Sequence, residues 1–185
     1  MRRLEERDAA DRTDGTPRSE RLRAVRPEVG EFLMTLALAV GARDIVEIGT
    51  SGGYSTLWLA SAARRNQGRV TTFEVDPAKV AIAQSNIEAA RVSDIVFLRA
   101  EDAHDGLGSL QDDADLAFLD AEKEDYLTFL PEVVEALRPG GVFVADNLIS
   151  HADALDGFRT AALDHPQLTG LVVPIGRGEL VAVKS

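Results

Sequence analysis

Cysteine is absent from this chain of 185 residues. Its absence excludes disulfides, thiolate zinc sites and thiol nucleophiles. Histidine is scarce: only His104, His151 and His165 occur, so a three-histidine metal cage would need all three to converge. Long apolar runs are missing too. The longest, Phe32–Val40, is nine residues and far too short to cross a bilayer. No basic stretch followed by an apolar segment opens the chain, so no secretory signal is read and a cytoplasmic location is expected. Positive charge is also in deficit, with a net charge of −11. The first 26 residues carry eight Arg against six Asp and Glu, and the rest carries 12 Lys and Arg against 25 Asp and Glu. A body this acidic repels phosphate backbones, so neither nucleic acid nor membrane is expected as a partner.

What is present is an ordinary globular composition, 45% apolar and 28% charged, enough for one core. Residues 1–21 read as a flexible or loosely helical, charged N-terminal segment and 22–185 as a single domain. From Pro27, apolar residues recur at helical spacing as far as Gly41. Strands and helices then alternate. The strands are read at Asp44–Gly49, Arg69–Val75, Asp94–Arg99, Ala114–Asp120 and Gly141–Asp146. The helices are read at Tyr54–Arg65, Pro77–Ala90, His104–Leu110, Asp125–Leu137 and Ala152–Leu163. Two last apolar runs, Leu168–Ile175 and Glu179–Lys184, flank Gly176-Arg177-Gly178 and read as a hairpin. The expected class is α/β: a mostly parallel, seven-stranded, Rossmann-like sheet with a C-terminal antiparallel hairpin and helices on both faces.

The sharpest local signal is Val46-Glu47-Ile48-Gly49-Thr50-Ser51-Gly52-Gly53-Tyr54-Ser55, where the first strand turns into a helix. Glycines there let a ligand approach the backbone, and the helix start offers free N–H groups. The dinucleotide pattern G-x-G-x-x-G fails because position 51 is serine, and no lysine follows the glycines as a P-loop requires. Glu74 ends the second strand, 25 residues after Gly49. A carboxylate there accepts ribose hydroxyls and repels a 2′-phosphate. The loop therefore reads as a nucleoside site without an obligatory pyrophosphate. Asp120 and Asp146 end two successive strands, with Asn147 next, and in a parallel sheet these ends are neighbours. Two carboxylates and an amide oxygen form a hard donor set suited to Mg²⁺. Tyr54 and Trp58, four residues apart on the first helix, read as packing residues.

Together these stretches, with Phe73-Glu74-Val75-Asp76-Pro77, Phe118-Leu119-Asp120-Ala121-Glu122-Lys123 and Ala145-Asp146-Asn147, resemble class I S-adenosylmethionine-dependent methyltransferases. Within these they resemble the cation-dependent O-methyltransferases of the catechol and caffeoyl-coenzyme A type. The resemblance runs from about Val25 to the C-terminus. It implies S-adenosylmethionine and a divalent cation as cofactors, a small, hydroxylated, catechol-like acceptor and a homodimer. It assigns the cofactor to Val25, Glu47, Gly49, Thr50, Ser51, Gly53, Ser55, Glu74, Val75, Asp102, Ala103, His104 and Asp120. It assigns the metal to Asp120, Asp146 and Asn147, and catalysis to Asp120 and to Lys123 as general base. Two rival readings keep the cofactor: a metal-independent N- or O-methyltransferase, and a cofactor-binding protein without turnover. The chain departs from the family in three places. Glu101 replaces a usual glycine, the N-terminal helical segment is short, and Leu148–Asp153 leaves little room for an acceptor loop. The acceptor site is therefore expected to be open or completed by a partner subunit.

Overall fold

The computed structural model describes residues 1–17, 20–110 and 113–185. Seven strands form one sheet: β1 (Asp44–Ile48), β2 (Arg69–Phe73), β3 (Val96–Arg99), β4 (Ala114–Leu119), β5 (Leu137–Ala145), β6 (Leu168–Val173) and β7 (Glu179–Lys184). Their spatial order is β3-β2-β1-β4-β5-β7-β6. The first five strands run parallel, and β7 is antiparallel to both β5 and β6. Sequence order reverses direction at β1, between β2 and β4. That is the switch point at which open α/β sheets bind ligands.

Helices cover both faces. Helices α1 (Arg2–Asp11), α2 (Pro27–Ala39), α3 (Tyr54–Asn66) and α4 (Pro77–Ala89) enclose a core built on Leu4, Leu33, Ile45, Leu59, Ile87 and Phe118. Helices α5 (Ala103–Leu107), α6 (Tyr126–Ala136) and α7 (Ala152–Leu163) enclose the other, built on Phe73, Leu107, Tyr126, Phe143 and Phe158. Proline starts α2 and α4 at positions where a missing N–H costs nothing. The central strands are buried on both faces, which is why they read as continuous apolar runs. Among the described residues no helix is long and apolar enough to cross a membrane. Tyr54 and Trp58 pack edge to face, with ring centroids 6.5 Å apart.

The first residues, read as flexible or loosely helical, form helix α1 with Leu4 buried, and it ties down the segment that follows it. Asp8 accepts the Ala24 N–H at 2.9 Å and Asp11 accepts the Leu22 N–H at 3.2 Å. The last parallel strand starts at Leu137 rather than Gly141. A bulge between Ala114 and Leu116 lets the chain rejoin β4 across Pro139-Gly140, and Arg138 is pinned to Asp115 at 2.6 Å.

Candidate functional site

Strand register builds the site. Ile48 lies opposite Phe73 on one side and Leu119 on the other, and Leu119 lies opposite Ala145. Gly49, Glu74, Asp120 and Asp146 each follow one of these residues directly, so all four sit at the same carboxyl edge. Hydrogen bonds carry the pairing one step past the strands. The Gly49 N–H reaches Phe73 O at 3.1 Å, Asp120 N–H reaches Ile48 O at 2.9 Å, and Asp146 N–H reaches Leu119 O at 3.1 Å. Gly49 has φ +99°, and a Cβ there would lie 2.3 Å from the carbonyl oxygen of Asp120. Only glycine permits this approach of the first turn to the fourth strand.

Beyond this edge lie two adjoining chambers. The wide one has a volume of about 600 Å³, and Gly49, Ser51, Glu74, Val75, Asp102, Ala103, His104 and Asp120 all reach its wall. The Glu74 carboxylate accepts the Ser51 N–H at 2.7 Å on one oxygen, and the Val75 and Asp76 N–H groups at 3.0 Å on the other. A carboxylate offers about four acceptor positions, so roughly one remains for a ligand hydroxyl. Asp102 caps α5 by accepting the His104 N–H at 3.0 Å. The His104 ring lies flat on Phe129, with centroids 4.0 Å apart, and Nδ1 is 2.8 Å from Glu132. Phe129 completes the wall from α6, a contribution sequence reasoning missed because it reads as an ordinary core position.

The narrow chamber, about 80 Å³, opens on the other side of Asp120. Val25, Thr50, Ser51 and Ser55 reach its wall, together with Lys123, Asn147, His151 and Arg177. Ser51 Oγ donates to Leu22 O, fastening the glycine turn to the segment held by α1. Arg23 faces both chambers and forms an ion pair with Glu122 across the opening. Neither Arg23 nor Glu122 was singled out from sequence, because nothing local pairs residues 99 positions apart.

Three assigned residues are not on the chamber walls. Gly53 sits at the N-cap of α3. Glu47 is 0% exposed beneath the glycine turn, where Oε2 accepts the hydroxyls of Thr56 and Thr72, the latter at 2.6 Å. Burial raises Glu47 from 4.5 to about 7, and its Oε1 has no hydrogen-bond partner. Asp146 is 2% exposed and lies behind Asn147, whose N–H it accepts.

The polar centre gathers around Asp120. Lys123 Nζ donates to Asp120 Oδ1 at 3.0 Å, to Ala121 O at 2.9 Å and to the Tyr126 hydroxyl at 2.9 Å. Asn147 Nδ2 donates to the same Asp120 oxygen at 3.1 Å. Asn147 holds φ +77°, a left-handed conformation asparagine tolerates better than most residues, and this aims its amide inward. Burial, then the charges of Asp120 and Asp146, hold the Tyr126 phenol well above its usual value, so it stays neutral. Glu179, at the start of β7, is 0% exposed and adds a third carboxyl beside Asp146. Burial raises both Asp146 and Glu179; for Asp146 the next cause is Asp120, and for Glu179 it is Asp146. Asp120 pairs with Lys123, while Asp146 and Glu179 lie side by side behind it, where burial favours their neutral forms. Among the described residues, no three His, Cys, Asp or Glu side chains form a metal cage, so a cation here relies on the Asn147 amide oxygen.

Comparison with known proteins agrees with this geometry. A family model described as O-methyltransferase matches residues 12–162. The chain is 39% identical over 137 residues to a catechol O-methyltransferase of Niastella koreensis, covering 72% of this chain and 62% of that one, or about three-fifths of the relative. It is 38% identical over 167 residues to a catechol O-methyltransferase of Mycobacterium tuberculosis, covering 83% and 76%. The O-methyltransferase from Bacillus cereus in complex with SAH superposes with a TM-score of 0.83 at 29% identity, covering 100% of this chain and 91% of that one. A match across most of the chain and a shared Rossmann-like architecture together place this protein in the S-adenosylmethionine-dependent O-methyltransferase family.

Proposed function

We propose that this protein methylates a hydroxyl of a small, catechol-like acceptor, using S-adenosylmethionine and a divalent cation. The observation that carries the reading is the convergence of Asp120, Lys123 and Asn147 where the two chambers meet. The wide chamber suits the adenosine half of the cofactor, with Glu74 toward the ribose and Asp102, Ala103 and His104 toward the base. The Val25, Thr50, Ser51 and Ser55 side of the narrow chamber suits the methionine half, which leaves its open side, at Asn147, His151 and Arg177, for the acceptor. S-adenosylmethionine supplies a methyl group already activated by its sulfonium.

Asp120, Asp146 and Asn147 would hold the cation, because their oxygens are the hard donors a divalent cation takes and Asp146 lies buried close enough to feel Asp120. A divalent cation bound there aligns and acidifies a chelating hydroxyl. Lys123 Nζ, after giving up an ammonium proton to solvent, would in its neutral form take the hydroxyl proton as the acceptor oxygen bonds to the methyl carbon and the carbon–sulfur bond breaks. Tyr126 positions that nitrogen, accepting from it while donating to Leu119 O or Asp146 O, each at 3.2 Å. The closed Asp120 contact marks the resting arrangement. The test is methyl transfer from labelled S-adenosylmethionine to catechol with Mg²⁺, with EDTA, and with Mg²⁺ restored. Activity that requires the cation supports the reading. Equal activity in EDTA assigns Asp120 and Asn147 to orienting the acceptor directly.

A further inference from the structure

Arg177 stands out among the cations of the acidic body. After Pro27 the arginines at 64, 69, 99, 138 and 159 all sit in ion pairs. Arg43 donates to Gln67 O, and Arg65 and Arg91 are exposed. Arg177 is half buried on the wall of the narrow chamber, beside Lys123, Asn147 and His151. No described residue pairs with its guanidinium.

Its backbone, by contrast, is held firmly. Arg177 O accepts the Ile149 N–H at 3.0 Å and the Ser150 N–H at 2.9 Å, and Gly178 O accepts the Leu148 N–H at 2.8 Å. Gly178 has φ +95°, and a Cβ there would lie 2.4 Å from Ile149. The hairpin turn is thus pressed onto the loop that carries Asn147. A half-buried arginine on a chamber wall, its backbone fixed and its guanidinium in no ion pair among the described residues, can receive an anion there. Arginine matches a carboxylate with two parallel hydrogen bonds. In a chain of net charge −11, such a group is needed to hold an anion that the rest of the body repels.

Building on the methyl-transfer reading, we propose that Arg177 selects the acceptor by binding a carboxylate carried on the hydroxylated ring. The favoured substrate class is then a dihydroxy aromatic acid rather than a neutral catechol. Lys123 and the Asp120–Asn147 edge handle the hydroxyls, while Arg177 holds the far end of the same molecule.

The test compares kcat/KM for 3,4-dihydroxybenzoate and for catechol in the full chain, with Mg²⁺ and S-adenosylmethionine. The wild type should prefer the benzoate by about tenfold or more, the usual size for a charge-assisted contact. That ratio should collapse in Arg177→Gln, mainly through KM for the benzoate, and recover in part in Arg177→Lys. A ratio unchanged by Arg177→Gln, or equal losses on both acceptors, overturns the proposal. Calorimetric binding of 3,4-dihydroxybenzoate to the SAH-loaded protein separates the two readings. Binding lost in Arg177→Gln without methyl transfer by the wild type sustains the carboxylate site and defeats the transferase reading. No binding by the wild type defeats the carboxylate site.

Discussion

The two chambers solve different problems with different materials. In the wide one the wall is mostly backbone and turns, and its key carboxylate, Glu74, is satisfied by three N–H groups no more than 23 residues away. In the narrow one the polar groups come from separate turns and meet only because β1, β4 and β5 are in register and β7 returns antiparallel. Behind that chamber two carboxyls are raised by burial, Asp146 next by Asp120 and Glu179 next by Asp146. A nucleoside can be held by a locally encoded, relaxed surface. Chemistry at a hydroxyl draws on groups gathered from distant parts of the chain.

Asp120 belongs to both chambers, so changing it should break the contrast most severely. Asp120→Asn is expected to lower kcat for methyl transfer about a thousandfold while the protein stays folded, because its side chain remains partly exposed and isosteric. A loss below tenfold would mean the charge at this edge is incidental. Lys123→Met should cost about a hundredfold or more in kcat with little change in cofactor affinity. Equal damage to cofactor binding would make Lys123 a structural partner of Asp120. Glu74→Gln acts on the other chamber alone. It should weaken S-adenosylmethionine binding about ten- to a hundredfold by calorimetry, the range for losing hydrogen bonds to a charged acceptor, and leave acceptor KM nearly constant. A parallel rise in acceptor KM would show that the chambers are not separable.

Much of the wide chamber was legible because its residues stand where apolar strand patterns break. Gly49, Glu74 and Asp102 each mark such a boundary, and so do Asp120 and Asp146. The narrow chamber was half legible. Ala145 pairs with Leu180, so the antiparallel register sets Asp146 opposite Glu179, but no spacing along the chain announces that pairing. Arg177 and Glu179 read as ordinary residues of a hairpin turn. The α1 segment was read as flexible or loosely helical because it is polar and followed by the breakers Gly15 and Pro17. Its anchoring comes from Asp8 and Asp11 accepting backbone N–H groups from residues 24 and 22, which hydropathy cannot register. The resemblance assigned Glu47 to the cofactor, yet the structure puts it under the turn rather than in the cleft.

Glu47 offers the finest test of the contrast, because its carboxyl is fully buried beneath the glycine turn. Burial raises it from 4.5 to about 7. Below about pH 4.5 both folded and unfolded chains hold its proton, and its contribution to stability is fully present. Between that point and about pH 7 only the unfolded chain releases the proton, so stability falls as pH rises. The slope ends once the folded form also ionises. The loss amounts to about 3 kcal/mol across that window. Glu47→Gln cannot titrate, and it keeps an oxygen for Thr56 and Thr72. Urea unfolding at pH 5 and pH 7.5, without cofactor, should therefore show a smaller loss in the variant than in the wild type. The buried carboxyls Asp146 and Glu179 slope in the same direction in both proteins, so only the difference between the two curves belongs to Glu47. Parallel curves would mean that Glu47 is ionised throughout.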